Sequence, residues 1–451
     1  MTRVDAKDAA FFYESVPGAS TDHYFTVGLR HPSDDELDPQ RLADEVGARL
    51  ESIPQVRVRL ARVRFDLDYP SWTTNSTDPT DTVGIRPSAS GEWSDALVTL
   101  ADILSVPLNV EHGAIAVHIL PNLRGVPGID GLGSVVVVQL SHALADGQGA
   151  VAVTRTLLGD DSARTHLPSP TLSGRRPAVS AVVGILRIPV QAAAFTGSAV
   201  RAIRSSRAFA REIADGTIVT RPPTRQASAV NVDPGTDRAA AVLVHDRAAL
   251  TASGLSVTSA ALTAIARALA AYLGDDAPAD LGAHVTVALP PDARWSGVNR
   301  LASASVDLVP GADDQSARIR ASLTGERRRV THQAMLDSVR VAEHIPAPLL
   351  RAGLRRQHPS GETVHAHTTV SSVNCGPATL EVCGAQAVFI AAFAGLSPAM
   401  SLNHAVLGLG DTISVGVVTS PSAVPDHSRY IEELDRALAE VGRQTDTRSS
   451  A

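Results

Sequence analysis

A mixed α/β or α+β fold is what this sequence predicts, on three observations. Val135–Val138 is an unbroken β-branched run that ends in a Gly-containing turn; apolar residues recur at helical spacing in both halves; short Val/Leu/Ile-rich segments alternate with those stripes. At 451 residues the chain exceeds a usual single core, so two domains, or two halves of one intertwined unit, are expected. In the first half, Pro39–Ile53 places Leu42, Val46, Leu50 and Ile53 on one helical face before Pro54 stops the run. Val56–Leu67, Ala114–Leu120 and Ser134–Leu140 read as strands, and the stretch after Gly149 returns to helix-compatible composition.

From Leu167 the Pro- and Ser-rich LPSPTLSGRRP reads as a linker. Ala178–Ser198 is apolar, but Arg187 and Pro189 interrupt it, so a clean span of about twenty residues is not expected. Beyond it, Arg201, Arg204, Arg207 and Arg211 share one helical face, with Ala202, Ile203, Phe209, Ala210 and Ile213 opposite. Such a basic amphipathic helix either packs on its own protein or docks on an anionic lipid surface. In the second half, Ala239–Val244, Val285–Leu289, Ala302–Val309, Ala387–Ala394 and Thr412–Val418 read as strands. Val257–Leu273 carries a core stripe of Leu262, Ile265, Ala266, Leu269 and Leu273, stopped by Gly274, and Ser428–Val441 forms a last helix around Ile431, Leu434, Leu438 and Val441. These boundaries predict a unit at 1–166, a linker with the basic helix at 167–225 and a second unit at 226–451.

Composition removes several function classes. A net charge of −7 repels a phosphate backbone, and 4 % aromatic residues leave little for base stacking, so no nucleic acid is expected as a partner. Two cysteines, Cys375 and Cys383, do not make a disulfide framework and suit reduced thiols in cytosol. The N-terminal MTRVDAKDAAFFYES lacks the apolar segment of a secretory signal.

The chemistry concentrates at Gln139–Gly149, QLSHALADGQG. His142 follows a buried strand, which holds an imidazole more rigidly than a loop would, and a neutral imidazole accepts a proton at physiological pH. Metal ligation is not expected, because no HExxH and no Cys/His cluster supplies further ligands. Ser141 lacks a GxSxG elbow, and as the neighbour of His142 on a strand its side chain diverges from the ring.

Several stretches in order resemble the bacterial wax ester synthase/diacylglycerol acyltransferase family, within the wider chloramphenicol-acetyltransferase and condensation-domain fold. They are DAAFFYES (Asp8–Ser15), IPQVRVRL (Ile53–Leu60), the Pro107-Leu108 step, LSHALADG, SVTSAALTAIARALAAYL (Ser256–Leu273), VNRLASASVDLVPG (Val298–Gly311) and the C-terminal Leu396–Asp426 run. The sequence departs from the family pattern at Ser141, in place of the first histidine of HHxxxDG, at Thr258 and Ser259, and in VSSVNCGP around Asn374.

The resemblance implies two acetyltransferase-like subdomains, each a mixed sheet with flanking helices, and an active-site tunnel between them. It implies transfer of a fatty acyl group from acyl-CoA to a long-chain alcohol or diacylglycerol, with His142 as general base and no tightly bound cofactor. Asp146 would hold the loop through an ion pair, Gly147 would supply a backbone conformation that a side chain blocks, and Ser141, Asn299 and Asn374 would border the substrate site. Peripheral association with a membrane or lipid droplet goes with that substrate class. The alternatives are a condensation-like acyltransferase acting on another hydroxyl or amine, and a diverged paralogue that binds acyl chains without turnover.

Overall fold

The computed structural model describes residues 3–16, 18–76, 82–174, 177–356 and 362–443. Residues 175–176 of the linker lie outside them. The first half runs α1 (Ala6–Glu14), β1 (His23–Arg30), α2 (Pro39–Glu51), the paired β2 (Val58–Ala61) and β3 (Ser71–Thr74), β4 (Val83–Ile85), α3 (Trp93–Ser105), β5 (Ile115–Leu123), β6 (Gly133–Leu140) and α4 (Gly147–Leu157). The helix α5 (Pro177–Ala214) and the short β7 (Arg225–Gln226) lead onward. The second half contains β8 (Ala239–Asp246), α6 (Arg247–Thr251), α7 (Val257–Leu273), β9 (Gly282–Ala288), β10 (Leu301–Asp307), α8 (Gln315–Val330), α9 (Gln333–Arg340) and α10 (Ala347–Arg356). After these come β11 (Thr363–Val364), β12 (Thr368–Asn374), β13 (Glu381–Val382), β14 (Ala385–Phe393), β15 (Leu402–Leu409), β16 (Thr412–Thr419) and α11 (His427–Arg443).

Two six-stranded mixed sheets organise these elements, in the orders β13-β14-β1-β6-β5-β4 and β10-β9-β12-β15-β16-β8. Every residue of β6 is buried, as its β-branched run predicts. Val136 and Val138 enter one core with Leu42, Val46 and Val153 of α2 and α4, whereas Val135 and Val137 enter another with Trp93 and Leu100 of α3. The second sheet packs against α7 and α11 through Leu262, Ile265, Leu269, Leu434 and Leu438. Gly274 closes α7 at φ 58°, a left-handed conformation that costs a glycine little.

The chain does not divide cleanly at residue 226. β14 leaves the second half and pairs antiparallel with β1 from Tyr24↔Phe393 to Arg30↔Gln386, before β15 and β16 return to the second sheet. The halves are therefore intertwined, and 226–451 is not a self-contained unit. Ser414 Oγ donates to the Ile390 carbonyl at 2.5 Å, tying the sheets where they meet.

Two other expectations are corrected. The strand read at Val56–Leu67 ends at Ala61, because a helical turn at Arg64–Asp66 takes over with Phe65 and Asp66 at positive φ and the Asp66 carboxylate bound by Arg62 at 2.8 and 2.9 Å. Nor do Arg187 and Pro189 interrupt the apolar stretch: α5 runs continuously for 38 residues with Pro189 inside it.

Candidate active site

The site grows from the end of β6. Ser141 is buried, and its backbone N–H donates to the Ala114 carbonyl at 2.9 Å, extending the β5–β6 pairing by one step. The chain then turns, with Leu144 N donating to Ser141 O at 2.9 Å, and starts α4. Asp146 is the N-cap of α4: its Oδ1 accepts from Gly149 N at 3.0 Å. Among the described residues this carboxylate forms no ion pair, so the loop is held by helix capping rather than by the expected salt bridge. Gly147 also differs from expectation. It has no positive φ, and a Cβ there would meet Val373 Cγ2 at an ordinary 3.7 Å, so the first turn of a helix makes no conformational demand for glycine.

His142 sits between two rings. Phe11 of α1 stacks on one face with centroids 3.9 Å apart and planes 3° from parallel, and His23 of β1 covers the other at 3.9 Å and 31°. The pairing of His23 with Leu140 brings His23 to the loop, where its Nε2 bonds the Ala145 carbonyl at 3.0 Å. Burial, then the neighbouring His23, hold His142 well below the usual imidazole range, opposed by its own backbone carbonyl, Asn299 and Asp146. Burial likewise lowers His23 to about 4. Both rings are therefore neutral near pH 7. Although the His142 ring is enclosed by protein, the residue is only partly buried. Nδ1 is buried without a hydrogen-bond partner among the described residues.

Asn299 joins the halves at this point. Its Nδ2 donates to the His142 carbonyl at 2.7 Å and to Asp8 Oδ1 at 2.9 Å. Asp8 of α1 also accepts from Asn299 N at 3.2 Å and, through Oδ2, from Val298 N at 2.9 Å. Burial raises the Asp8 carboxyl to about 6, against the lowering effect of these bonds from Asn299 and Val298. Gly297 has φ +86°, and a Cβ would stand 2.6 Å from Asp8 Oδ2. Lys7 Nζ, 3.7 Å from the Trp295 ring centroid, pairs with Glu343 at 2.7 Å and braces the same corner.

A cavity of about 360 Å³ opens beside this junction, lined by Val4, Asp8, Trp72, Ala143, Gly297 and Val298. It reaches the loop at Ala143, next to His142. Asn374 is exposed at the end of β12, and its Oδ1 accepts from Gly376 N at 3.1 Å, so its side chain serves its own turn. Thr258 Oγ1 donates to Ser372 Oγ at 3.1 Å. The turn after Asn374 is anchored to α4 by the buried Arg155, which donates to the carbonyls of Cys375 and Pro377 and pairs with Asp160 at 2.6 Å. Phe11, His23 and Asp8 escaped recognition in the sequence. The only signal was DAAFFYES, and nothing local says that α1 and β1 end at His142.

Two intertwined mixed α/β halves, meeting at a neutral histidine on a strand-end turn, define a two-lobed acyltransferase fold. The model of the wax ester synthase/diacylglycerol acyltransferase catalytic domain matches residues 5–252, that of the family's C-terminal domain matches residues 299–442, and the chain belongs to this family and is an acyltransferase. A probable diacylglycerol O-acyltransferase of Mycobacterium tuberculosis is 25 % identical over 361 residues, covering 70 % of this chain and 71 % of the relative. The fold is that of the wax ester synthase/diacylglycerol acyltransferase from Marinobacter aquaeolei VT8, with TM-score 0.64 and 17 % identity over 98 % of each chain. A trichothecene 15-O-acetyltransferase from Fusarium sporotrichioides shares it at TM-score 0.55 and 13 % identity, over 98 % of this chain and 95 % of that one.

Proposed function

We propose that His142 is the general base for transfer of a fatty acyl group from acyl-CoA to the hydroxyl of a long-chain alcohol or diacylglycerol. Nε2 takes the hydroxyl proton as the oxygen attacks the thioester carbonyl; the C–O bond forms, the C–S bond breaks, and the leaving thiolate recovers the proton from the imidazolium. The observation that carries this reading is the neutral ring clamped by Phe11 and His23 on the loop whose Ala143 lines the cavity. Asp8 and Asn299 act as positioning residues, since their bonds fix the carbonyl of His142 and with it the ring. Asp146 and Gly147 serve the same loop by starting α4, Ser141 by closing the strand. A substrate pair this apolar also supports work at a lipid surface on the cytoplasmic side, as a peripheral protein.

The test is ester formation from labelled palmitoyl-CoA with hexadecanol or diacylglycerol, comparing wild type with folded His142→Ala. Loss of about a hundredfold to ten-thousandfold is expected. Equal rates would remove His142 from the chemistry, and thiol release with an amine but with neither alcohol would redirect the acceptor.

A further inference from the structure

The most unusual surface of the molecule belongs to α5. Its inner side is buried at Ala181, Gly184, Gln191, Ala202 and Phe209, positions spread over about 40 Å of helix, so α5 lies flat along the protein rather than projecting from it. The outer side inverts the usual pattern of a surface helix. Val179, Val182, Leu186, Val190 and Val200 fall on one stripe and are all exposed, Leu186 at 71 % and Val190 at 69 %. The same stripe continues as Arg204, Arg207 and Arg211, exposed and without a carboxylate partner among the described residues.

The helix is also placed beside the cavity. Gly184 leaves no room for a Cβ against the Leu67 carbonyl, and Arg187 pairs with Asp68 at 3.0 Å. Asp68 in turn holds Arg3 at 2.8 Å, and Arg3 lines the cavity rim. On the other side α5 packs on the turn Val341–His344, whose Glu343 and His344 line the same rim.

We infer that the outer stripe of α5 is the docking face for an anionic phospholipid membrane, and that it sets the cavity rim at the lipid surface so that a lipid acceptor enters without crossing water. The apolar stretch would lie in the headgroup boundary and the arginine end against anionic headgroups, an interfacial arrangement in which a helix held flat by its own protein does not span. The route of entry rests on the acyl-transfer reading above; the docking itself does not.

Co-sedimentation of the full chain, without acyl-CoA, with phosphatidylglycerol-containing and pure phosphatidylcholine vesicles tests the docking. Wild type is expected to bind the anionic vesicles, less so as salt rises, and the double variant Leu186→Glu/Val190→Glu is expected to lose about tenfold or more in partitioning. Arg204→Glu/Arg207→Glu is expected to lose the preference for anionic lipid. Both pairs are exposed, and circular dichroism checks that each variant folds. The inference is overturned if wild type ignores anionic vesicles, if it prefers a neutral-lipid emulsion to them, if the apolar double variant binds equally, or if light scattering shows a dimer that the double variant abolishes, which would make a second copy the occupant. The route is read from activity: Leu186→Glu/Val190→Glu should lose about tenfold with vesicle-borne diacylglycerol and keep wild-type turnover of a short, water-soluble alcohol. Equal losses with both acceptors overturn the route, whereas wild type turning over neither acceptor while still binding vesicles would count against the acyl-transfer reading alone.

Discussion

Replacing Gly297 by alanine is expected to damage the junction at His142 far more than one added methyl group suggests. The residue has φ +86°, a conformation that costs a side-chain-bearing residue about 1–3 kcal/mol. Its Cβ would also stand 2.6 Å from Asp8 Oδ2. That carboxylate is not a flexible end: it is buried, and held by Val298 N, Asn299 N and Asn299 Nδ2. To make room it must give up the bond to Val298 N, a charged hydrogen bond of about 1.5–3 kcal/mol. Together these give a loss of about 2.5–6 kcal/mol in urea unfolding followed by circular dichroism. The matched control is Gly47→Ala in the middle of α2, where a Cβ has nothing within 4 Å and where alanine is the better helix former by about 0.5–1 kcal/mol. Gly297→Ala should unfold at lower urea than wild type and Gly47→Ala no earlier than wild type. If the two variants unfold together, the reading of Asp8 as a rigid anchor is wrong.

The pH dependence follows from the depressed His142. Only the neutral ring accepts a proton, so kcat/KM should hold as pH falls through the ordinary imidazole range and decline only below it; a decline centred near 6.5 would show an unperturbed base. His23→Phe keeps a ring against His142 while removing the neighbour that lowers its proton affinity, and the acid limb is expected to move to higher pH. Arg155→Ala should destabilise the chain by about 3 kcal/mol in the same urea assay, since it leaves Asp160 and two carbonyls without their buried donor. Asp146→Ala should cost only about 1 kcal/mol, the value of an N-cap, and Asp146→Ser should restore most of it; a much larger, unrescued loss would reveal an ion pair.

What was legible in the sequence was local. A run of valines buried on both faces announces β6, and the residues after it must turn, so His142 is placed without knowing any other strand. The stripe of α7 and its Gly274 stop are of the same kind. What was hidden depends on partners far along the chain. His23 reaches His142 because β1 pairs with β6, Phe11 because α1 lies over the loop, and Asp8 because the Val298–Asn299 backbone crosses from the other half. β14 was visible as a strand, but its pairing with β1 was not, since an apolar nine-residue strand fits either sheet. Gly147 and Pro189 were over-read: one occupies an ordinary helical position with room for a Cβ, the other an exposed helix that continues through it.

The proposed reaction depends on the His142 imidazole taking the acceptor's proton. A single-turnover measurement of ester formation, with labelled acyl-CoA pre-bound to excess enzyme and alcohol then added, tests it most directly in His142→Ala. Normal acyl-CoA binding with a chemical step slowed about a hundredfold to ten-thousandfold is expected. Normal binding with an unchanged chemical step would contradict it.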